Sequence, residues 1–216
     1  MSPAIVKPSA AALRALARRD PVLGRVAKAS VAFPGFPQPR QHQSHFHALA
    51  KAIVFQQLAG RAAQTIHDRV AGLTSSGRFP NADQVLALDP GRLRGAGLSR
   101  NKMLSLVDLA EHVSDGRLRL RSLAYQSDEA VIEALVQVRG IGVWSAQIFL
   151  LFRLGRLDVL PSTDLGLQEG LRRLDGLSER PSPKALESRA EVWAPLRSVA
   201  AWLLWRVADG KVDAPG

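Results

Sequence analysis

The 216-residue sequence contains no cysteine. That excludes disulfides, thiol nucleophiles, cysteine-ligated zinc and iron–sulfur clusters, so any chemistry must run on other groups. No run of about 18 apolar residues is present to span a membrane, and the opening MSPAIVKPSAAALRALARRD lacks the apolar centre of a secretory signal. The cytoplasm is the expected location. Strict period-two alternation is also missing, as are any repeat of solenoid period and any low-complexity segment beyond one proline-rich loop.

Acidic residues are scarce as well. Against 29 lysines and arginines stand 19 acids, a formal charge of +10. Such an excess favours a polyanionic partner, because each phosphate met by Lys or Arg releases condensed counterions. Ribosomal and membrane-surface proteins share the bias, so charge alone does not decide the partner.

What is present is helical periodicity. With 46% hydrophobic residues the chain has ample material for a core, and the apolar positions recur at helical spacing nearly throughout. Two helices are expected in the first 32 residues, with Asp20-Pro21 supplying a cap and a first-turn proline for the second. The segment PGFPQPRQHQS, residues 34–44, reads as a loop between two lobes. Further helices are predicted over 45–58, 61–75, 82–88, 100–114, 128–138, 143–154, 165–174, 183–193 and 195–209, with Ser99, Ser127 and Ser182 as N-caps. In the last of these, Leu196, Val199, Ala200, Leu203, Leu204 and Val207 share one face and predict a core stripe. The fold class is all-α. One lobe comprises about 1–40 plus 155–216 and the other about 45–154.

The most informative stretch is ALVQVRGIGVWSAQIFLLFRLGRLDVLPSTDLGLQEGLRRL, residues 134–174. An amphipathic helix, with Val131, Ile132, Leu135 and Val136 inward, runs into Arg139-Gly140-Ile141-Gly142, and a nearly all-apolar helix follows at once. Two glycines one residue apart let the backbone turn sharply and come within hydrogen-bond reach of a ligand. The second helix has no acid in its first turn, so its positive dipole end stays open to an anion. For a basic protein, phosphate is the natural anion. A bare glycine-rich helix–helix turn is the plainer alternative.

The segment resembles the helix-hairpin-helix (Gly/Pro…Asp) superfamily of DNA glycosylases, in which a G-[IV]-G hairpin grips DNA phosphate and a catalytic aspartate follows about twenty residues later. Gly140-Ile141-Gly142 matches the hairpin, and Asp164 stands twenty residues after Trp144. FHALAKAIVFQQLAGRAAQTIHDRV (46–70), GLSRNKMLSLVDLAEHV (97–113) and AEVWAPLRSVAAWLLW (190–205) resemble other family elements, so the likeness runs from about residue 20 to 209. The DNA-3-methyladenine glycosylase II type is the nearest branch. Branches that also cut the strand carry a nucleophilic lysine two residues past the second glycine, and many hold a four-cysteine cluster; here that position is Trp144 and cysteine is absent. The usual proline after the second glycine is Val143, and the aromatic residues that often line the base pocket are replaced by Ile148, Leu165 and Leu196.

The resemblance implies a two-lobed glycosylase fold with the helix-hairpin-helix at about 128–154 and the active cleft between the lobes. It implies hydrolysis of the N-glycosidic bond of an alkylated purine flipped out of duplex DNA, leaving an abasic site, by a monomer on a bacterial nucleoid, with no cofactor and no obligatory protein partner. Asp164 would be the catalytic residue, although an aspartate at a helix start also reads as a plain N-cap. Trp144, Phe36 and Leu165 would line the base pocket, with core packing as the alternative for Trp144. Gly140, Gly142, Arg139, Arg100, Ser99 and Lys102 would meet DNA, and Gln57 or Leu58 would fill the gap left by the flipped base. Trp193, Trp202 and Trp205 read as core. His42, His45 and His47 crowd together but lack acidic or cysteine partners for zinc. No metal is required, though relatives hold a monovalent cation on carbonyls that map to Val136, Val138 and Ile141. A non-catalytic helix-hairpin-helix DNA-binding protein is the rival reading, and a basic RNA-associated helical protein a third.

Overall fold

The computed structural model describes residues 7–36 and 44–213. Among them the chain forms α-helices and short 3₁₀ turns and no strand. In chain order the helices are α1 (Ala10–Arg19), α2 (Pro21–Ala29), α3 (His45–Phe55), α4 (Gly60–Ala71), α5 (Ala82–Ala87), α6 (Pro90–Gly95), α7 (Arg100–Ser114), α8 (Asp128–Val136), α9 (Val143–Phe152), α10 (Leu165–Leu174), α11 (Pro183–Arg189) and α12 (Arg197–Ala208). The all-α expectation holds. Ser99, Ser127 and Ser182 cap α7, α9's predecessor α8, and α11, and Asp20 caps α2 ahead of Pro21.

The departures are local. Helix α6 and the 3₁₀ turn Leu120–Tyr125 are additional to the helices read from the sequence. The predicted helix over 45–58 stops at Phe55, since Gln56 turns extended and Gln57 takes a left-handed φ of 53°. The helix expected over 183–193 divides into α11 and a 3₁₀ turn, Ala190–Trp193.

The chain divides into two compact units, Met1–Gln38 with Leu150–Gly216, and Pro39–Phe149. The division falls inside α9, a few residues before the position near 154 read from the sequence. In the first unit α10 packs along α12. A Cβ at Gly170 would lie 2.2 Å from the Leu204 carbonyl oxygen, so glycine there is what lets the two backbones approach. The predicted stripe of α12 is buried as a whole, together with Leu167, Leu171 and Leu174 of α10 and Leu23 and Val26 of α2. In the second unit α7 is the central element, contacting α3, α5 and α6, with Leu106 and Leu109 fully buried.

One ionic cluster closes the first unit. The Asp20 carboxylate is 3% exposed; it accepts the Leu23 N–H at 3.0 Å, the Trp193 indole N–H at 2.7 Å and Arg189 at 2.7 Å, while Arg189 also pairs with Asp175 at 2.8 Å. Burial by itself would raise the Asp20 pKa, but the hydrogen bonds and the Arg189 charge outweigh it and hold the carboxyl below its ordinary value. Removing it strands the Trp193 indole N–H and leaves Arg189 with Asp175 alone of its two carboxylates. Asp20→Ala is expected to cost about 3 kcal/mol at neutral pH. Because the folded pKa is depressed, that contribution is complete above the ordinary carboxylate range and disappears as pH falls through the folded value. Urea midpoints of the two proteins should therefore differ most at neutral pH and converge only below about pH 4; a gap that persists unchanged into acid would show that the charge is not the source.

Candidate active site

Helix α8 ends at Val136, and Ile141 closes the hairpin by donating to the Val138 carbonyl at 3.0 Å. Gly140 has a left-handed φ of 76°, and a Cβ on it would lie 2.5 Å from Ser105 Oγ on α7. Glycine is required there twice over, by conformation and by space. Gly142 is different from expectation. Its φ is one that any residue adopts, and an added Cβ would meet nothing within 4 Å. The first turn of α9 carries no acid, and Val143 and Trp144 at its start are 53% and 43% exposed. Arg139 is exposed, with its backbone N–H donating to Asp108 Oδ2 at 2.7 Å.

The turn after α3 belongs to the same unit. Gln57 is the one non-glycine with positive φ among the described residues, and Leu58 is 39% exposed. Ser99 is exposed and Lys102 half-buried. The Ser99 hydroxyl accepts the Lys102 N–H, and Lys102 Nζ donates to the Val54 carbonyl at 2.8 Å; burial pushes this lysine below its ordinary pKa. Lys102 thereby ties α7 to the end of α3, while Ser99 caps α7.

Asp164 lies in the first unit, half-buried, at the N-cap of α10. Its Oδ1 accepts two hydrogen bonds, from the Leu167 N–H at 3.0 Å and from the Trp205 indole N–H at 2.9 Å. The cap reading and a chemical role are thus compatible. Gly166 makes room for this pair, since a Cβ there would be 3.0 Å from Asp164 Oδ1 and 3.1 Å from Trp205 Cδ1. The loop before it is braced by Ser162, whose hydroxyl donates to Glu187 at 2.6 Å and whose carbonyl accepts Gln168 Nε2 at 3.0 Å. Leu165 is 63% exposed beside the aspartate. Phe36, expected over a pocket, is 3% exposed, its ring packed edge-on to Phe33 and Phe152. It is a core residue of its unit.

Among the described residues no three His, Cys, Asp or Glu side chains are grouped to hold a metal. His42 lies outside the described residues; His45 packs against Phe149, and His47 bonds His67 at 2.8 Å beneath Phe79.

Residues 50–195 match the model of the HhH-GPD superfamily of base excision DNA repair proteins. The chain belongs to this superfamily. It is 34% identical over 164 residues, covering 76% of its length and 72% of the relative's, to DNA-3-methyladenine glycosylase 1 of Schizosaccharomyces pombe. To the DNA-3-methyladenine glycosylase of Saccharomyces cerevisiae it is 32% identical over 212 residues, covering 82% and 71%. Its structure is similar to that of the S. pombe enzyme Mag1 in complex with abasic DNA, with a TM-score of 0.78 at 30% identity over 92% of this chain and 97% of the other. The crystal structure of a DNA-3-methyladenine glycosidase from Bacillus halodurans gives a TM-score of 0.81 at 35% identity, covering 91% and 88%. The helix-hairpin-helix resemblance read from Gly140, Gly142 and Asp164 is borne out.

Within this superfamily member, the residue that sequence reasoning missed is Trp205. It was assigned to the core along with Trp193 and Trp202. Trp193 is fully buried, whereas Trp205 stacks on Phe152 and spends its N–H on Asp164. The available signal was Gly166, a small residue two positions past the aspartate whose purpose is close approach.

The hairpin geometry separates its two glycines. Gly140→Ala should lower stability by about 2 kcal/mol, from the left-handed backbone and the contact with Ser105, whereas Gly142→Ala should stay within about 0.5 kcal/mol of wild type. Chemical denaturation of both variants measures this, and equal losses would contradict the assignment.

Proposed function

We propose that this chain is a monofunctional DNA glycosylase that hydrolyses the N-glycosidic bond of alkylated purines, of the 3-methyladenine and 7-methylguanine type, in duplex DNA. The observation that carries the reading is the held carboxylate of Asp164. In this reaction the C1′–N bond breaks with its electron pair leaving on the base, positive charge builds on the deoxyribose, and water adds to C1′ and gives up a proton, leaving an abasic site. A carboxylate already fixed by two donors to Oδ1 needs no reorganisation to stabilise that charge or to orient the water. Alkylated purines carry positive charge before cleavage and leave without strong acid assistance. A purely binding protein would need this carboxylate only as the N-cap of α10.

The hairpin supplies the grip. Backbone N–H groups around Gly140 and Gly142, the start of α9 and the Arg139 side chain are proposed to hold a phosphate, with open space at Gly142 allowing close approach. Trp144 is the proposed pocket wall, consistent with its partial exposure, and Gln57 or Leu58 the wedge. The monovalent cation fits the hairpin chemically: carbonyls of Val136, Val138 and Ile141 are neutral oxygen donors, and Val138 keeps a second lone pair beyond the one taken by Ile141. Those carbonyls would hold the ion and stiffen the turn. The protein is proposed to act as a monomer.

Asp164→Asn tests the reading. The amide oxygen can still accept from Leu167 and Trp205, so fold and DNA binding should persist while single-turnover base release falls about 100- to 1000-fold. Trp205→Phe keeps the ring against Phe152 but loses the donor, and should lose about tenfold in the same assay at unchanged DNA affinity. An Asn variant within a few-fold of wild type on methylated DNA sinks the proposal. Because position 144 is a tryptophan and not an amine, borohydride added during turnover should trap no covalent enzyme–DNA adduct; an adduct on a denaturing gel would show that another amine is the nucleophile.

A further inference from the structure

The turn at Gln57 and the hairpin at Gly140 are far apart in sequence, yet the unit Pro39–Phe149 joins them directly. Gln56 Nε2 donates to the Gly140 carbonyl oxygen at 2.9 Å, across 84 residues. Both partners are held from behind by α7. Lys102 fixes the last turn of α3 through the Val54 carbonyl, Asp108 takes the Arg139 N–H, and Ser105 abuts Gly140 so closely that no side chain fits there. The next residue, Gln57, is in the left-handed region, a conformation that a non-glycine residue keeps only when its surroundings impose it. Gln57 and Leu58 themselves face solvent.

We propose that Gln56 is a positioning residue for base extrusion. Its amide sets the height and angle of the Gln57-Leu58 turn relative to the hairpin, so that seating a phosphate on the hairpin also fixes where the turn's side chain enters the base stack. Gln56 touches neither the sugar nor the base. Its loss should leave phosphate binding and bond cleavage intact and should impair only the step in which a paired base is pushed out. This inference rests on the glycosylase reading above.

The test compares one lesion in two contexts. A duplex carries 7-methylguanine opposite cytosine, and a second carries the same 7-methylguanine opposite an abasic gap, where the base is already unpaired and extrusion costs little. Gln56→Met keeps the chain length and removes only the donor, while Gln56→Ala also removes packing; circular dichroism and thermal unfolding report that each is folded. On the paired lesion, Gln56→Met is expected to lose roughly three- to tenfold in single-turnover base release, the size of one hydrogen bond to backbone. On the unpaired lesion it should lose less than about twofold, and the salt dependence of binding to undamaged duplex should be unchanged. Equal losses on both substrates, or none on the paired one, overturn the role of Gln56 while leaving the enzyme a glycosylase. Wild type that releases no base from either duplex overturns the glycosylase reading, and this inference with it.

Discussion

The chemistry proposed for this protein depends on one carboxylate being held still. Asp164 is held by a backbone N–H of the helix it caps and by an indole N–H from α12, both directed at the same oxygen. Each bond has a sequence requirement elsewhere. The cap needs α10 to start at Leu165, and the indole bond needs Gly166 to be small and α12 to lie close against α10, which Gly170 permits. Two glycines in α10, costly to a helix in isolation, are thus explained by the approach of α12. Stability of the helix is given up for the geometry of its first residue.

A second constraint governs the other unit. The hairpin presents peptide groups and a helix dipole, both weak unless oriented, and orientation comes from α7. Ser105, Asp108 and Lys102 lie on successive turns of that helix and meet, in order, Gly140, the Arg139 N–H and the end of α3. A half-buried lysine that donates to a carbonyl and a carboxylate that accepts a backbone N–H are polar groups in partly desolvated settings. Each is satisfied, which adds orientation to what the buried Leu106 and Leu109 of the same helix supply by packing.

The excess of positive charge acts at a different level. It supplies attraction to DNA over distances of a Debye length and falls with salt, but it selects neither the phosphate nor the base. Several of the cations are in fact spent internally. Arg189 and Arg197 pair with Asp20, Asp175 and Asp158, and Lys102 serves α3. Each such ion pair takes up an acid as well as a cation, so the surplus of +10 is carried by the remaining basic residues.

The amino-acid sequence alone determined the helical class, the caps at Asp20, Ser99, Ser127 and Ser182, the core stripe of α12, and the hairpin with its aspartate. These are readable because each depends on residues within a few turns of one another: a period of 3.6, a hydroxyl or carboxylate ahead of three free N–H groups, two glycines one residue apart. Tertiary structure decided the rest. Trp205 reads as one more apolar residue of α12 until α10 brings Asp164 to its indole; Lys102 reads as a surface cation until the end of α3 supplies a carbonyl; Phe36 reads as a loop aromatic until Phe33 and Phe152 enclose it. Gly140 and Gly142 look equivalent in the motif, and the left-handed backbone of Gly140 together with the position of Ser105 on α7 separates them. In every one of these cases the deciding partner is dozens of residues away in the chain or set by the packing of another helix, and hydrogen-bonding and steric forces that act over 3 Å leave no periodic trace in the sequence by which to find it.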